Sequence, residues 1–233
     1  MDRLRTPRWA GQVLSYRTRP REKRSFHSVL DAAELLPHDA TTSITLDATG
    51  GVVALGISQP LRRGQLDERV EHVDDAGLRV RRLVRHIRDE VGGAARDETA
   101  EFSAKTHMLP DCTYVDVSIP FLLGEQPFDG KSRSLYAWIC DRFVAKVYYE
   151  SRGEHDVVVG AGRFATREVV MYPDLNDWVK LGTVLSKLAK PFLPKYHMFY
   201  EIAAPHRLVR FDGPHGPPGA PEITLELERS EPD

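Results

Sequence analysis

Few residues in this chain have the type and spacing to do chemistry. The strongest candidate is in "TTSITLDATGGVVALGIS" (41–58), which Thr41 opens. A threonine hydroxyl is a weak nucleophile unless a base stands beside it. At the start of a processed chain its own α-amine, near neutral in pKa, can take the proton. Thr41 is therefore the candidate catalytic nucleophile, and residues 1–40 would be the segment removed to expose it.

Other motifs carry less. "VVVGAGRFA" (157–165) matches the dinucleotide fingerprint superficially, but Pro173 arrives before the long helix and second strand that such a unit requires. Cys112 has His107 and Asp111 as sequence neighbours and no thiol-protease signature around it, which favours a buried structural cysteine. The nine histidines show no H-x-x-x-H or H-x-H spacing, and no P-loop, G-x-S-x-G or paired-cysteine site occurs. No metal ligand and no cofactor site is expected.

These residues must be positioned by regular elements. "SFHSVLDAAELLP" (25–37) has helical spacing that ends at a proline. "SITLDATGGVVALGIS" alternates as two strands around a Gly50-Gly51 turn. Leu78, Val80, Leu83, Val84, Ile87 and Val91 predict a helix over 74–90, with its arginines mostly outward. Between 100 and 160 lie the strand candidates "AEFSAKTHM", "TYVDVSIPFLLG", "SLYAWIC", "FVAKVYYES" and "HDVVVGAG". "RFATREVVMY" fits either a short helix or a strand. Asp174 caps a predicted helix that Pro191 stops, and "HMFYEIA" and "HRLVRF" read as closing strands. "DGPHGPPGAP" reads as a polyproline-type linker, with "EITLELERSEPD" either a strand or loose. The order of elements argues for α+β.

Composition sets the outer bounds. At 41% hydrophobic and 28% charged, the 233 residues fit a soluble chain with one full core or two small ones. No apolar run approaches the roughly 18 residues of a membrane helix, so no membrane partner is expected. Two cysteines and no signal-peptide pattern favour the cytoplasm. Residues 1–24 carry +6 and the remainder −8, so the basic arm could meet an acidic partner. A solvated tail is the commoner reading, and without aromatic interleaving nucleic acid is not expected.

In order, these pieces resemble the proteasome β-subunit family. "SFHSVLDAAELLP" is similar to its propeptide. Thr41-Thr42-Ser43-Ile44-Thr45-Leu46 with Gly50-Gly51-Val52-Val53 resembles the start of its mature chain, and "GAGRFA" its G-S-G segment. The resemblance implies a four-layer αββα sandwich, two antiparallel sheets between helix layers. It divides the chain into a propeptide-like 1–40, an N-terminal-nucleophile hydrolase-like domain at 41–212, and a tail at 213–233. It also implies a ring-forming subunit that assembles with like or related subunits into a homo- or hetero-oligomer. The family's acid, lysine and supporting serine are replaced by Ile57, Val73 and Ala161, and Ala40 stands where self-cleavage uses glycine. Loss of the lysine and oxyanion donor removes orders of magnitude of rate. The implied role is then structural or regulatory, with catalysis impaired or absent. Two readings stay open beside it: an active threonine peptidase, and a non-enzymatic α+β binding module whose basic arm holds an acidic partner or nucleic acid.

Overall fold

The computed structural model describes residues 3–21, 36–37, 39–89, 95–102, 109–141, 143–174, 194–215, 220 and 222–232. Thirteen strands form one sheet: β1 (Gln12–Pro20), β2 (Ala40–Thr49), β3 (Val52–Leu61), β4 (Gly64–Asp74), β5 (Leu78–Asp89), β6 (Ala95–Glu101), β7 (Thr113–Val115), β8 (Arg133–Cys140), β9 (Phe143–Val159), β10 (Gly162–Pro173), β11 (Tyr196–Glu201), β12 (Leu208–Pro214) and β13 (Glu222–Pro232). β1 lies in the middle. β2 to β6 step away from it on one side, and β13 back to β7 on the other. Every neighbouring pair is antiparallel except β7–β8.

Period-2 alternation explains most of this. In β1, Leu14, Tyr16 and Thr18 are buried while Arg17 and Arg19 face out. In β2, Thr42, Ile44 and Leu46 point inward, and in β3 Val53, Leu55, Ile57 and Gln59 do. One face of the sheet thus carries a continuous apolar layer. The β2–β3 hairpin turns at Gly50-Gly51, both at positive φ as a two-residue turn requires.

The sheet rolls around part of its own chain. After β7 come a 3₁₀ turn (Asp116–Ser118), the single-turn helix α1 (Ile119–Leu122) and a second 3₁₀ turn (Leu123–Glu125). Ile119, Leu122 and Leu123 are fully buried against the inner faces of β1, β11 and β12 within one core cluster. Tyr200 Oη donates to the Pro120 carbonyl at 2.5 Å and fastens this plug to β11. A smaller cluster of Val70, Val80, Leu83, Phe102, Val115 and Trp138 joins the two extremes of the sheet, β4–β5 to β7–β8. Residues 3–10 cover one end, with Leu4 and Trp9 buried, the Leu78 N–H donating to the Leu4 carbonyl, and the Gly11 N–H to the Leu46 carbonyl. Gly77 seats this segment. It has φ +108, and a Cβ there would meet the Arg3 Cβ at 2.7 Å.

This architecture corrects the expected α+β class. The described residues form one rolled sheet with a single helical turn inside it, and no αββα layering. The predicted helix over 74–90 is the end of β4 and β5. Arg82 faces Glu71 and Val80 faces His72, so Arg81 is an extra residue at a β-bulge. The bulge shifts the inward positions from 78 and 80 to 83, 85 and 87, a spacing that imitates helical periodicity. The strand candidate "TYVDVSIPFLLG" is strand only over Thr113–Val115, and Pro120 sits in the first turn of α1, where its missing N–H costs nothing. "FVAKVYYES" and "HDVVVGAG" merge into the single long β9, and "RFATREVVMY" is strand in β10. The helices predicted from Ser25 and from Asp174 fall on 25–35 and 175–193, outside the described residues.

The charge asymmetry also has an internal explanation. Gln12–Pro20, expected within a basic arm, pairs with the acidic β13, which was expected in the tail. Arg17 meets Glu228 at 3.0 Å, and Arg19 meets Asp39 at 3.0 Å and Glu226 at 3.2 Å. Arg3, Arg8 and Arg21 likewise sit on Asp75, Glu125 and Asp212. Five of the arm's six described arginines, all but the exposed Arg5, thus meet acids within the chain.

Candidate functional site

An apolar cleft opens into the core at one end of the roll. Thr42, Ala145 and Tyr196 line it from near the starts of β2, β9 and β11. Ile139, Pro173 and Pro214 line it from near the ends of β8, β10 and β12. In an antiparallel sheet those positions all fall at the same end. The opposite end is closed by residues 3–10 and the buried Tyr16, Tyr114 and Tyr200. The cleft leaves about 60 Å³ open to the centre of a water-sized sphere, and about 790 Å³ of empty space once its mouth and the open solvent there are counted. Phe121 of α1 forms part of its wall, set edge-on to Tyr16 with ring centroids 5.8 Å apart.

The walls are overwhelmingly aliphatic and aromatic, and four side chains interrupt them: Thr42, Asp116, Tyr196 and His215. Thr42 is buried, with its hydroxyl 2.6 Å from that of Thr18. Tyr196 keeps its proton, because burial pushes its phenol well above the usual range. His215 Nε2 donates to Gln59 Oε1 at 2.6 Å, and burial lowers the imidazole pKa to about 4, so the ring is neutral at pH 7. Gln59 is itself fully buried, and its Nε2 has no partner.

Asp116 is the most chemically distinctive member. The turn after β7 aims its carboxyl into the cleft, where one oxygen accepts the Val117 N–H at 2.9 Å. Burial pushes its pKa up to about 7, the charge of nearby Glu68 adds to this, and Arg85 opposes it. Arg85 is itself shared. It reaches Glu68 Oε1 at 2.6 Å and Glu98 Oε2 at 3.1 Å, with Glu68 buried. Arg96 also meets Glu98, so three carboxylates and two guanidiniums lie where β4, β5 and β6 come near the turn after β7.

Thr41 lies elsewhere. It is exposed in β2, opposite Arg17 of β1, with its backbone inside a sheet ladder. The inward neighbour is Thr42. Cys112 is buried at φ +62 beside β7, and its sequence neighbour His107 lies outside the described residues. Gly160 and Gly162 flank the β9–β10 turn, with Ala161 N–H donating to the Leu227 carbonyl. Among the described residues no group of three or more His, Cys, Asp or Glu side chains could hold a metal ion. No helix among them is long and apolar enough to cross a membrane.

Sequence reasoning missed Asp116 and His215 as groups of the cleft. Asp116 is an acid inside the apolar run "TYVDVSIPF", an anomaly that a strand assignment absorbed. His215 lay in a stretch read as linker. A buried carboxyl breaking an apolar run was the available signal.

No protein-family model and no curated protein matches the chain. Among solved structures, a "putative lipoprotein" from Parabacteroides distasonis ATCC 8503 aligns over 99% of this chain and 100% of its own, at 10% identity and a TM-score of 0.34. A "putative exported protein with YmcC-like fold" from Bacteroides fragilis NCTC 9343 aligns over 98% and 99%, at 12% identity and a TM-score of 0.33. Likeness this slight builds nothing, and the fold rests on its own strand pairing. The proteasome β-subunit resemblance fails on that pairing: a single rolled sheet replaces the two stacked ones that would present a threonine nucleophile. The ring-forming, proteasome-like role falls with it. The expected cytoplasmic location is not carried forward: the two aligned structures are named a lipoprotein and an exported protein, and likeness this slight places this chain nowhere.

Proposed function

We propose that this chain binds a small apolar or amphiphilic ligand in the open end of its rolled sheet. The observation that carries this is the cleft itself, whose continuous apolar walls are interrupted by a few convergent polar groups. Concave apolar sites with a small number of placed polar groups are the usual form of small-molecule sites. Apolar wall exposed to water costs free energy in proportion to its area, and an occupant recovers that cost. Nothing in the lining favours covalent chemistry. It has no serine, cysteine or lysine, and the Thr42 hydroxyl is engaged by Thr18.

The test is binding of N-phenyl-1-naphthylamine, which fluoresces in apolar surroundings. The wild-type chain should bind it saturably at one site. Ala137→Phe and Ala145→Phe place an aromatic ring in the lumen from β8 and β9, and each should weaken binding by at least about tenfold, a loss of 1.4 kcal/mol. Circular dichroism melts would show that the variants remain folded. Absence of saturable binding by the wild type, or full binding by both folded variants, overturns the reading.

A further inference from the structure

We infer that the cleft selects an amphiphile with a cationic head, an alkylammonium-type group, and seats that head against Asp116. This rests on the ligand-binding reading above and names the chemistry of the ligand.

The first ground is what the lining lacks. No lysine or arginine faces the cleft among the described residues, so a carboxylate or phosphate head would enter with no cation to meet it. Arg85, the guanidinium whose charge acts on Asp116, is already engaged by Glu68 and Glu98. An anion would have to compete with two carboxylates for it.

The second ground is what surrounds Asp116. Arg85 is taken by Glu68 and Glu98, and Arg96 also pairs with Glu98, so ionised Asp116 makes three carboxylates against two guanidiniums and leaves this corner short of positive charge. An ammonium head supplies that charge and donates hydrogen bonds to a carboxylate that spends one oxygen on the Val117 N–H. Across the cleft, neutral His215 and the Tyr196 hydroxyl offer no opposing charge. The unpartnered Gln59 amide does not line the cleft and meets no ligand head. The apolar body of the ligand then lies along Ile44, Ile57, Val147 and Met171.

The chemistry also fixes a pH signature. Asp116 faces Glu68 of β4 and Arg85 of β5, with Glu98 of β6 behind Arg85 and His215 of β12 across the cleft. Deprotonation of Asp116 between pH 6 and 8 should tighten an ammonium and not an alcohol.

Decylammonium, decan-1-ol and decanoate share one chain and differ only in the head. Each would be titrated against bound N-phenyl-1-naphthylamine at pH 6 and pH 8. Decylammonium should bind at least about tenfold tighter than decanoate at pH 8. Its advantage over decanol should grow from pH 6 to 8, and in Asp116→Asn both this pH response and the ammonium-to-alcohol ratio should collapse. Binding of decanol with equal or tighter binding of decanoate overturns the inference and leaves the ligand-binding reading standing. An ammonium preference that survives in Asp116→Asn overturns it too. Failure of all three compounds and the dye overturns both.

Discussion

At the closed end of the roll, buried tyrosine hydroxyls are paired with backbone groups. Tyr114 Oη donates to the Leu78 carbonyl at 3.0 Å and accepts the Leu4 N–H at 2.9 Å, and Tyr16 Oη donates to the Leu208 carbonyl at 2.7 Å. At the open end, built from the other ends of the same strands, Asp116 and His215 face a cleft, and the first is pushed towards neutrality by its surroundings. The same sheet thus spends its polar groups in two ways. One end uses them to close backbone segments over a dense core, where stability resides. The other leaves them to a future occupant, and sites built for ligands commonly lower stability in this way.

The largest effect that tests this contrast is at Trp9, 1% exposed beneath the closed end. Trp9→Ala should cost about 3–5 kcal/mol in urea unfolding. Dye binding at the cleft should persist below the transition, and its loss in the folded variant would break the division between the ends. Next is Asp116→Asn. The folded state holds this carboxyl at about 7, above its unfolded value. The stability tied to its protonated form is therefore full below about pH 4 and is lost as pH rises through 7. Asparagine keeps the acceptor for Val117 N–H without the charge. The variant should gain on the order of 2–4 kcal/mol at pH 8, shrinking to nothing near pH 4. A constant gain across that range would mean that charge is not what the cleft strains against. Tyr114→Phe leaves the Leu4 N–H and the Leu78 carbonyl unpaired in the core and should cost about 1–3 kcal/mol, with dye affinity unchanged.

How far the sequence foretold these two ends depends on how local the signal was. The β2–β3 hairpin was legible because alternation and Gly50-Gly51 lie within twenty residues. β1 was not. Its arginines dominated the reading, while the Leu14-Tyr16-Thr18 alternation between them meant little without β13, some two hundred residues away. β5 misled for a different reason, since one bulge at Arg81 turned a two-residue period into an apparent helical one. The plug at 116–125 has the β-branched and aromatic residues of a strand and is held helical by tertiary burial. Such burial overrides propensity. The resemblance carried by "TTSITLDATGG" was a true hairpin pattern, but a hairpin alone fixes no fold. The cleft could not be read at all, because it exists only where β2, β8 and the turn after β7 converge.

The smallest expected effect sits at His72, a polar group that departs from the closed end's pattern of paired side chains. It is fully buried on the inner face of β4, with its ring 6.2 Å from that of Tyr114, and neither nitrogen has a hydrogen-bond partner. The Val53 backbone is near enough to temper the cost of charging the ring, but not in bonding geometry. Burial dominates and lowers the pKa to about 4, so the folded state holds a neutral imidazole. Its stability is therefore full above about pH 6.5, where the unfolded ring is neutral too, and is lost as pH falls through 4. An unpaired buried ring gains nothing from its nitrogens, so His72→Leu should lie within about 1 kcal/mol of wild type at pH 7. At pH 5 the variant should pull ahead by about 1–2 kcal/mol, because only the wild type must strip a proton from histidine 72 to fold. His215 carries the same liability at the cleft, so the acid limb of the stability profile should flatten in part rather than vanish. Acid then weakens the molecule through both ends, while the rise from pH 5 to pH 8 strains the open one through Asp116. A pH profile of His72→Leu beside that of Asp116→Asn reads the two apart.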